Sequence, residues 1–170
     1  IIILILFWWL FLLIGITILL DTGRPVIYSQ IRCGRSKAPF KIYKFRTMVK
    51  NADKIGKLQT KKNDSRVTTT GKILRTTSLD ELPQLFNILK GDMSFIGFRP
   101  DVFTGNEETS IKYYVRPGIT GYAQVNGRSN ITAKEKKKWE EKYVNELNFF
   151  LDLKIFLKTI VVVLKRENTN

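Results

Sequence analysis

The sequence predicts an α+β protein with a membrane-inserted N-terminal helix, a small β-hairpin and several amphipathic surface helices. Three observations predict this fold class. The first 20 residues are almost wholly apolar and uncharged, two short segments near residues 25 and 40 have strand character, and two helical patterns fill the C-terminal part. A chain of 170 residues suits one domain with a modest core. We therefore expect residues 1–20 to form the membrane helix and residues 21–170 to form one cytoplasm-facing unit that includes interfacial helices.

The N-terminal segment is predicted to insert into a membrane. As a helix, residues 1–20 would be about 30 Å long, which is close to the hydrocarbon thickness of a bilayer. Between Arg24 and Lys50 there are eight Lys or Arg and no acid. Because positively charged flanks face the cytoplasm, this side of the segment is expected there. A signal peptide fits poorly, since no basic start and no small-residue cleavage site are visible. Hydropathy leaves open whether the segment spans the bilayer or enters and returns.

Alternation of apolar and polar residues predicts two strands, over residues 25–31 and 40–48, joined as a hairpin around Gly34. Helical periodicity predicts a highly charged helix over residues 131–148. A second helix, over residues 149–165, has a large apolar side and basic flanks, which favours the membrane interface over packing into a core. Weaker patterns predict a helix and then a loop over residues 51–70, and a short helix over residues 107–114.

The composition narrows the possible chemistry. The chain has 29 Lys and Arg against 15 Asp and Glu, a net charge of +14, and no His. So basic a chain calls for an anionic partner, and the apolar start favours a membrane or a phosphorylated substrate over nucleic acid, for which no binding module is visible. Without His, the usual general base and the commonest metal ligand are absent. The single Cys33 excludes an internal disulfide, so carboxylates, cations, hydroxyls or an oxygen-bound metal must act.

The most informative stretch runs from Ser78 to Pro100 and reads SLDELPQLFNILKGDMSFIGFRP. Asp80 and Glu81 are adjacent, so on a helix their side chains diverge by about 100° and do not share one proton as a facing pair would. They can place two carboxylates at one site, one for attack or metal binding and one for support. A structural alternative is a capping box between Ser78 and Glu81. Pro83 would then lie in the first turns of that helix, where it removes a hydrogen bond.

Several basic residues lie on predicted strands and turns rather than on long exposed helices, which makes them candidates for binding phosphate. They are Lys44, Arg46, Arg75 and Arg99. Arg99 precedes a proline, which holds it in an extended conformation. Taken singly, each is better explained as a solvated surface charge; taken together, their positions favour a phosphate-binding role. The segment 116–128 (RPGITGYAQVNGR) is rich in glycine, and such loops bring backbone donors close to a ligand.

These motifs resemble those of the bacterial sugar transferases of the monotopic phosphoglycosyl transferase type, with a length close to that of the small single-domain members. The matching segments occur in order and read PVIYSQIRCGR, FKIYKFRTM, LRTTSLDELPQLFNILKGDMSFIGFRP and RPGITGYAQVNGR. With the apolar start and the C-terminal FLDLKIF they cover nearly the whole chain. The resemblance implies an enzyme that moves a sugar-1-phosphate from a UDP-sugar to a polyprenyl phosphate, commonly undecaprenyl phosphate. UMP leaves, in the first membrane step of surface glycan or polysaccharide assembly.

The resemblance also implies roles for single residues. Asp80 corresponds to the residue that carries a covalent phospho-sugar, and Glu81 is its partner; the two would hold Mg²⁺. A carboxylate attacks phosphorus at neutral pH without a base, so the absence of His is no obstacle. The substrate phosphate-binding residues implied by the family's basic positions are Lys44, Arg75 and Arg99. The nucleotide- or sugar-binding residues expected in the glycine-rich loop are Arg116, Gln124, Asn126 and Arg128.

In this family the first segment is a re-entrant helix that enters and leaves on the cytoplasmic face. The resemblance thus implies a re-entrant helix at residues 1–20, contact with membrane lipid, and a location on the cytoplasmic face of the bacterial inner membrane. An alternative from another functional class is a catalytically weak, membrane-anchored scaffold that binds lipid or partners. Phe98, where the family usually has Pro, and the lack of Pro in the first 20 residues favour the scaffold. The intact Asp80–Glu81 pair favours the enzyme.

Overall fold

The computed structural model describes residues 5–55, 64–127 and 131–165. Their helices and strands, in chain order, are α1 (Trp8–Thr22), β1 (Ile27–Cys33), β2 (Pro39–Phe45), α2 (Ala52–Ile55), α3 (Thr69–Thr77), α4 (Gln84–Lys90), β3 (Ser94–Ile96), β4 (Gly118–Thr120), α5 (Tyr122–Asn126), α6 (Ala133–Asn145) and α7 (Phe149–Leu164). Single turns of 3-10 helix cover Arg35–Lys37, Leu79–Glu81 and Ile111–Tyr114. The combination of helices with small sheets confirms the α+β class.

The described residues group into two compact units. The first contains residues 5–28, 43–55 and 64–85, and the second contains residues 29–42, 86–127 and 131–165. The first unit holds α1, α2 and α3. The second holds both strands of the smaller sheet and the two long C-terminal helices. The expected division at residue 20 stays a prediction.

Helix α1 buries one narrow face in the core of the first unit. Ile14 and Ile18, four residues apart and 3% and 1% exposed, pack with Phe45 and Leu74. Residues at this spacing lie on the same side of a helix. The other apolar side chains of α1 are largely exposed, including Trp8, Trp9, Leu12, Leu13, Ile16 and Leu20. Most of the apolar surface of α1 is therefore not buried in the core of the first unit.

Helix α1 contains 15 residues. Across residues 5–55, 64–127 and 131–165, no helix combines the length and the apolar character needed to cross a bilayer. Residues 1–4 lie outside the described residues. Insertion of the N-terminal segment into a membrane, and its re-entrant path, remain predictions.

The first sheet is the predicted hairpin, and the second sheet was not predicted. Strands β1 and β2 pair with each other, within a few residues of the expected ranges. Strands β3 and β4 pair in parallel, with Ser94 opposite Gly118 and Ile96 opposite Thr120. Each of these two strands has only three residues, which is too short for an alternating pattern to stand out in a sequence.

Glycines allow the backbones of β3 and β4 to approach each other closely. A Cβ atom on Gly97 would collide with the Arg116 carbonyl oxygen, and a Cβ on Gly118 would collide with the Gly97 backbone nitrogen. A Cβ on Gly121 would meet the Gly97 carbonyl oxygen in the same way. Within the glycine-rich segment, Gly118 and Gly121 are thus required for close packing of one backbone on another.

The two C-terminal helices agree closely with the prediction. Helix α6 begins with a capping box between Thr132 and Glu135, and α7 begins with the Asn148 side chain accepting the Leu151 N–H. The Tyr143 hydroxyl of α6 donates to Asp152 Oδ1 of α7 at 2.9 Å. Helix α7 leaves large apolar side chains exposed, such as Phe149, Phe150, Leu157 and Leu164. The expected interfacial position of α7 stays a prediction.

Candidate functional site

Asp80 and Glu81 lie on a tight turn that is anchored by leucines on either side. The turn is the 3-10 segment Leu79–Glu81, in which residues three apart eclipse one another. Leu79 and Leu82 both pack against the core formed by Ile14, Ile18, Phe45 and Leu74. Asp80 is 9% exposed. Two apolar anchors thus fix the position of a buried carboxylate.

The capping box proposed for Ser78 and Glu81 is wrong. Ser78 has φ 58° and ψ 16°, the left-handed conformation, and it ends α3, with its N–H donating to the Arg75 carbonyl. Its side chain makes no capping hydrogen bond to the following turn. Pro83 is buried directly before α4, so its missing N–H costs no helical hydrogen bond. The carboxylates therefore do not serve as a cap for a helix that starts at Ser78.

Arg75 is held beside the turn by a contact between α3 and the end of β2. The Thr68 N–H donates to the Thr47 carbonyl at 3.0 Å, and Gly71 lies so close to Thr47 that no Cβ would fit. One helical turn after Gly71, Arg75 Nε donates to Thr47 Oγ1 at 2.9 Å. Thr47, which the sequence did not single out, thus orients a predicted phosphate-binding cation; no local pattern marks it, because its partner lies 28 residues away.

The charges of Arg75 and Asp80 act on each other. Burial lowers the pKa of the Arg75 guanidinium, and the carboxylates of Asp80 and Asp64 oppose that shift. Opposite charges that interact in this way favour the charged form of each group. An ionised carboxylate is the form that can attack phosphorus or bind a metal ion.

Glu81 forms an ion pair with Lys44, another predicted site residue in the same unit. Lys44 Nζ lies 2.6 Å from Glu81 Oε1, and the two side chains are 19% and 16% exposed. Lys44 precedes the core residue Phe45 on β2, and neighbouring strand residues point to opposite faces. The structure therefore brings Lys44 to Glu81 and the charge of Arg75 to Asp80, within one compact unit.

Arg46, also a candidate phosphate-binding residue, stabilises the end of α1. It is 6% exposed and its Nη2 donates to Thr22 Oγ1 and to the Gly23 carbonyl, both at 2.6 Å. A cation at a helix C-terminus interacts favourably with the helix dipole. This position gives Arg46 a structural task at the last turn of the apolar helix.

The donor set suits Mg²⁺ only if substrate and water complete its coordination. Among the residues that the structure describes, no three His, Cys, Asp or Glu side chains come together as a metal site. Asp80 and Glu81 supply two neighbouring carboxylates. Mg²⁺ is typically bound by one or two carboxylates together with water and substrate phosphates. The pair therefore fits a magnesium ion that arrives with a diphosphate.

Arg99 belongs to the second unit, where its neighbours are firmly packed. Phe98 is 2% exposed and lies edge-on to Tyr113, with ring centroids 5.4 Å apart and an interplanar angle of 83°. Pro100 is buried, whereas Arg99 is exposed. The residue that departs from the family pattern, Phe98, thus contributes to a core, together with Cys33 and Tyr113.

The residues predicted for the glycine-rich loop also lie in the second unit. Arg116 is exposed and lies two residues before the start of β4. Gln124 lies on α5, and neither of its buried amide atoms has a hydrogen-bond partner among the described residues. Asn126 donates to the Tyr122 carbonyl and accepts from Lys158 Nζ, both at 2.7 Å. Arg128 lies outside the described residues. Their roles toward a nucleotide or a sugar stay predictions.

A cavity of about 340 Å³ in the second unit is lined by none of these predicted residues. Its walls come from the segment after Pro100, from the 3-10 turn at Ile111–Tyr114 and from α6. Both acidic and basic side chains line it, among them Asp101, Lys112 and Glu140.

Comparison with known proteins places this chain among the bacterial sugar transferases, which match residues 1–166. It is 44% identical over 154 residues to the uncharacterized sugar transferase EpsL of Bacillus subtilis, covering 87% of this chain and 74% of EpsL. It is 43% identical over 150 residues to the UDP-glucose:undecaprenyl-phosphate glucose-1-phosphate transferase of Klebsiella pneumoniae, covering 80% of this chain but 32% of that protein.

A third relative is the UDP-N-acetylgalactosamine-undecaprenyl-phosphate N-acetylgalactosaminephosphotransferase of Aeromonas hydrophila. It is 39% identical over 165 residues, which is 91% of this chain and 39% of that protein. The chain thus spans well under half of the two relatives whose names state a reaction, and most of EpsL. Since nearly every residue of the chain is matched by one family, the chain belongs to the bacterial sugar transferase family.

Proposed function

We propose that this protein transfers a sugar-1-phosphate from a UDP-sugar to undecaprenyl phosphate and releases UMP. Two relatives carry this type of reaction in their names, one with glucose and one with N-acetylgalactosamine. The reaction needs no general base to generate a nucleophile, which agrees with a chain that has no His. It also involves three phosphate groups, two in the UDP-sugar and one in the lipid acceptor, which agrees with the net charge of +14.

In the first step, a carboxylate oxygen of Asp80 attacks the phosphorus that bears the sugar. The bond from that phosphorus to the bridging oxygen breaks, and UMP leaves with both bonding electrons. The product is a phospho-sugar linked to Asp80 as an acyl phosphate. Arg75 is oriented by Thr47, and its positive charge interacts with the charge of Asp80. Its guanidinium would compensate negative charge on the transferred group and on UMP.

In the second step, an oxygen of the lipid phosphate attacks the same phosphorus. The bond to Asp80 breaks, the carboxylate is regenerated, and a diphosphate links the sugar to the lipid. Lys44 would hold Glu81 in place throughout, since their ion pair is mostly shielded from water. Because the nucleophile belongs to the protein, the same site can react first with the soluble donor and then with the lipid acceptor.

Asp80 and Glu81 would hold Mg²⁺ at this site. A bound Mg²⁺ neutralises phosphate oxygens and favours departure of the nucleotide. Every step above is carried by Asp80 itself, with Glu81, Lys44 and Arg75 around it.

We place the reaction at the cytoplasmic face of a bacterial inner membrane, as the first membrane step in the assembly of a surface glycan. Exposed apolar surface on α1 and α7 supports contact with lipid, because soluble surfaces seldom carry so many large apolar side chains together. The basic stretch between Arg24 and Lys50 supports the cytoplasmic side. UDP-sugars are soluble and the acceptor is a lipid, so an interfacial site serves both.

The observation that carries the proposal is the anchored turn of Leu79–Glu81. It holds a buried carboxylate that interacts electrostatically with a half-buried guanidinium, and a second carboxylate in an ion pair, without using either as a helix cap. Functional carboxylates are often placed in such a setting, since desolvation strengthens their interaction with nearby charges.

The proposal is tested with purified protein in detergent, Mg²⁺, undecaprenyl phosphate and a panel of UDP-hexoses and UDP-N-acetylhexosamines. We expect UMP and a lipid-linked diphosphate sugar with at least one donor, at a rate on the order of 10³-fold or more above the reaction without protein. Undecaprenol, which lacks the phosphate, is the matched acceptor control and should give no lipid product. Absence of lipid product with every donor would leave the membrane-anchored scaffold as the better account.

A further inference from the structure

Two backbone hydrogen bonds hold the start of α3 against the segment that follows β2, within the first unit. The Thr68 N–H donates to the Thr47 carbonyl at 3.0 Å. The Val49 N–H donates to the Arg66 carbonyl at 2.8 Å. Because Thr47 Oγ1 accepts the Nε–H of Arg75, the position of this segment also determines where Arg75 is held.

The Arg66 side chain is firmly held beside these hydrogen bonds. Its Nε and Nη2 donate to the two carboxylate oxygens of Asp64 at 2.9 Å and 2.6 Å, a bidentate ion pair. Its Nη1 donates to the Ala52 carbonyl at 2.9 Å. The side chains of Arg66 and Asp64 are 12% and 9% exposed. All three guanidinium nitrogens of Arg66 therefore have acceptors, and its charge is fixed in place.

The charges of this ion pair act on Arg75. Burial lowers the pKa of the Arg75 guanidinium, and the carboxylates of Asp80 and Asp64 oppose that shift. The positive charge of Arg66 adds to the shift. Arg66 and Arg75 therefore repel each other, while Asp64 attracts both. Such forces are stronger between side chains that are shielded from water than between exposed ones.

We propose that Asp64 is a positioning residue, whose carboxylate compensates the like charges of Arg66 and Arg75 and thereby keeps the Arg75 guanidinium in place for a substrate phosphate. The inference rests on the proposed function and on the role of Arg75 in it. Since Thr47 accepts from Nε, the phosphate would be bound by the two terminal nitrogens of Arg75. Without the charge of Asp64, Arg66 would still be held by its backbone and by the Ala52 carbonyl, so Arg75 would shift instead. A shift of about 1 Å is enough to impair a reaction.

The first test is a double-mutant cycle between Asp64 and Arg66, measured as kcat/KM for the UDP-sugar. Asp64→Asn keeps the shape of the side chain and removes the compensating charge, so we expect a loss of about tenfold. Adding Arg66→Gln removes the charge that repels Arg75, so the double variant should return to within about threefold of wild type. If Asp64 served only to hold Arg66 in place, the double variant would be no more active than Asp64→Asn. That result, or an unchanged kcat/KM in Asp64→Asn, would overturn the inference.

The second test repeats Asp64→Asn in an Arg75→Gln background. We expect little further loss of kcat/KM there, because the guanidinium that Asp64 positions is gone. An equal loss in both backgrounds would indicate general damage to the unit and would overturn the inference. If Asp64→Asn alone does not fold, its combination with Arg66→Gln decides, since it keeps the backbone hydrogen bonds of Thr47 and Val49. A loss in that double variant larger than threefold would then overturn the inference.

Lys72→Gln is the matched control for Arg66→Gln. Lys72 is an exposed cation on α3 in the same unit. Its replacement removes one positive charge and leaves the ion pair of Asp64 and Arg66 intact, so kcat/KM should stay within about twofold of wild type. Added to Asp64→Asn, it should restore no activity. Restoration as large as that by Arg66→Gln would show that only the net charge of the unit matters, and would overturn the inference.

These variants separate failure of this inference from failure of the proposed function. No UMP release by wild type would remove the proposed function, and the inference with it. UMP release that is insensitive to Arg75→Gln would remove the role of Arg75, and therefore the reason for positioning it. A large effect of Arg75→Gln, without restoration of Asp64→Asn by Arg66→Gln, would overturn the inference alone.

Discussion

Asp80→Asn should reduce UMP release in the complete assay by on the order of 10³-fold or more, since it removes the nucleophile and leaves its shape. The amide is a weak nucleophile toward phosphorus and cannot neutralise Arg75 as the carboxylate does. Asn should fit the same space, so the turn between Leu79 and Leu82 should persist. The measurement is the steady-state rate of UMP formation with saturating donor and acceptor.

Asp21→Asn is the matched control for this change. Asp21 is an exposed carboxylate in the same unit, where it accepts the Thr70 N–H at 3.0 Å. Its replacement removes one negative charge near the start of α3 and should leave the rate of UMP formation within about twofold of wild type. Equal and large losses in both variants would point to general damage of the unit, and unchanged activity of Asp80→Asn would exclude Asp80 as the nucleophile.

Gly118→Ala should lower the free energy of unfolding by roughly 3 kcal/mol, as expected for severe overpacking. The added Cβ would collide with the Gly97 backbone nitrogen and lie 2.5 Å from the Thr120 carbonyl oxygen. These are backbone atoms of the β3–β4 pair, so no flexible side chain can move aside. Urea denaturation followed by tryptophan fluorescence would measure the loss.

Gly105→Ala separates this clash from the conformational preference of glycine. Gly105 has φ +85°, where L-residues are strained, but nothing lies within 4 Å of its added Cβ. We expect a loss of about 1 kcal/mol there, from backbone strain alone. A loss at Gly118 no greater than that at Gly105 would show that β3 and β4 can separate without cost.

Secondary-structure elements with a clear apolar periodicity were predicted well from the sequence. The hairpin, the charged helix α6 and the apolar helix α7 follow from alternation and helical spacing, and the structure has them within a few residues. Helix α3 was missed, because its sequence TTGKILRTT contains Thr and Gly, which have low helix propensity. It forms because its one buried face, Gly71 and Leu74, packs on Thr47 and the core.

The residues of the candidate site were found through the motif, but the ion pairs between side chains were not predicted. Lys44 and Glu81 are 37 residues apart, and Lys112 and Glu140 are 28 apart, so no local pattern predicts either ion pair. The expected helix over residues 107–114 reduces to one 3-10 turn, at Ile111–Tyr114, from which Lys112 forms ion pairs with Asp101 and Glu140. Glycines that suggested ligand contact, Gly118 and Gly121, are also needed for backbone packing.

The central claim is that Asp80 carries the phospho-sugar, and intact-protein mass spectrometry tests it most directly. Protein is mixed with Mg²⁺ and a UDP-sugar in the absence of any lipid acceptor, and UMP is quantified in the same sample. We expect up to one UMP per protein and a mass increase equal to one sugar phosphate, both absent from Asp80→Asn. An adduct that persists in Asp80→Asn, or UMP that appears only when undecaprenyl phosphate is also present, would contradict it.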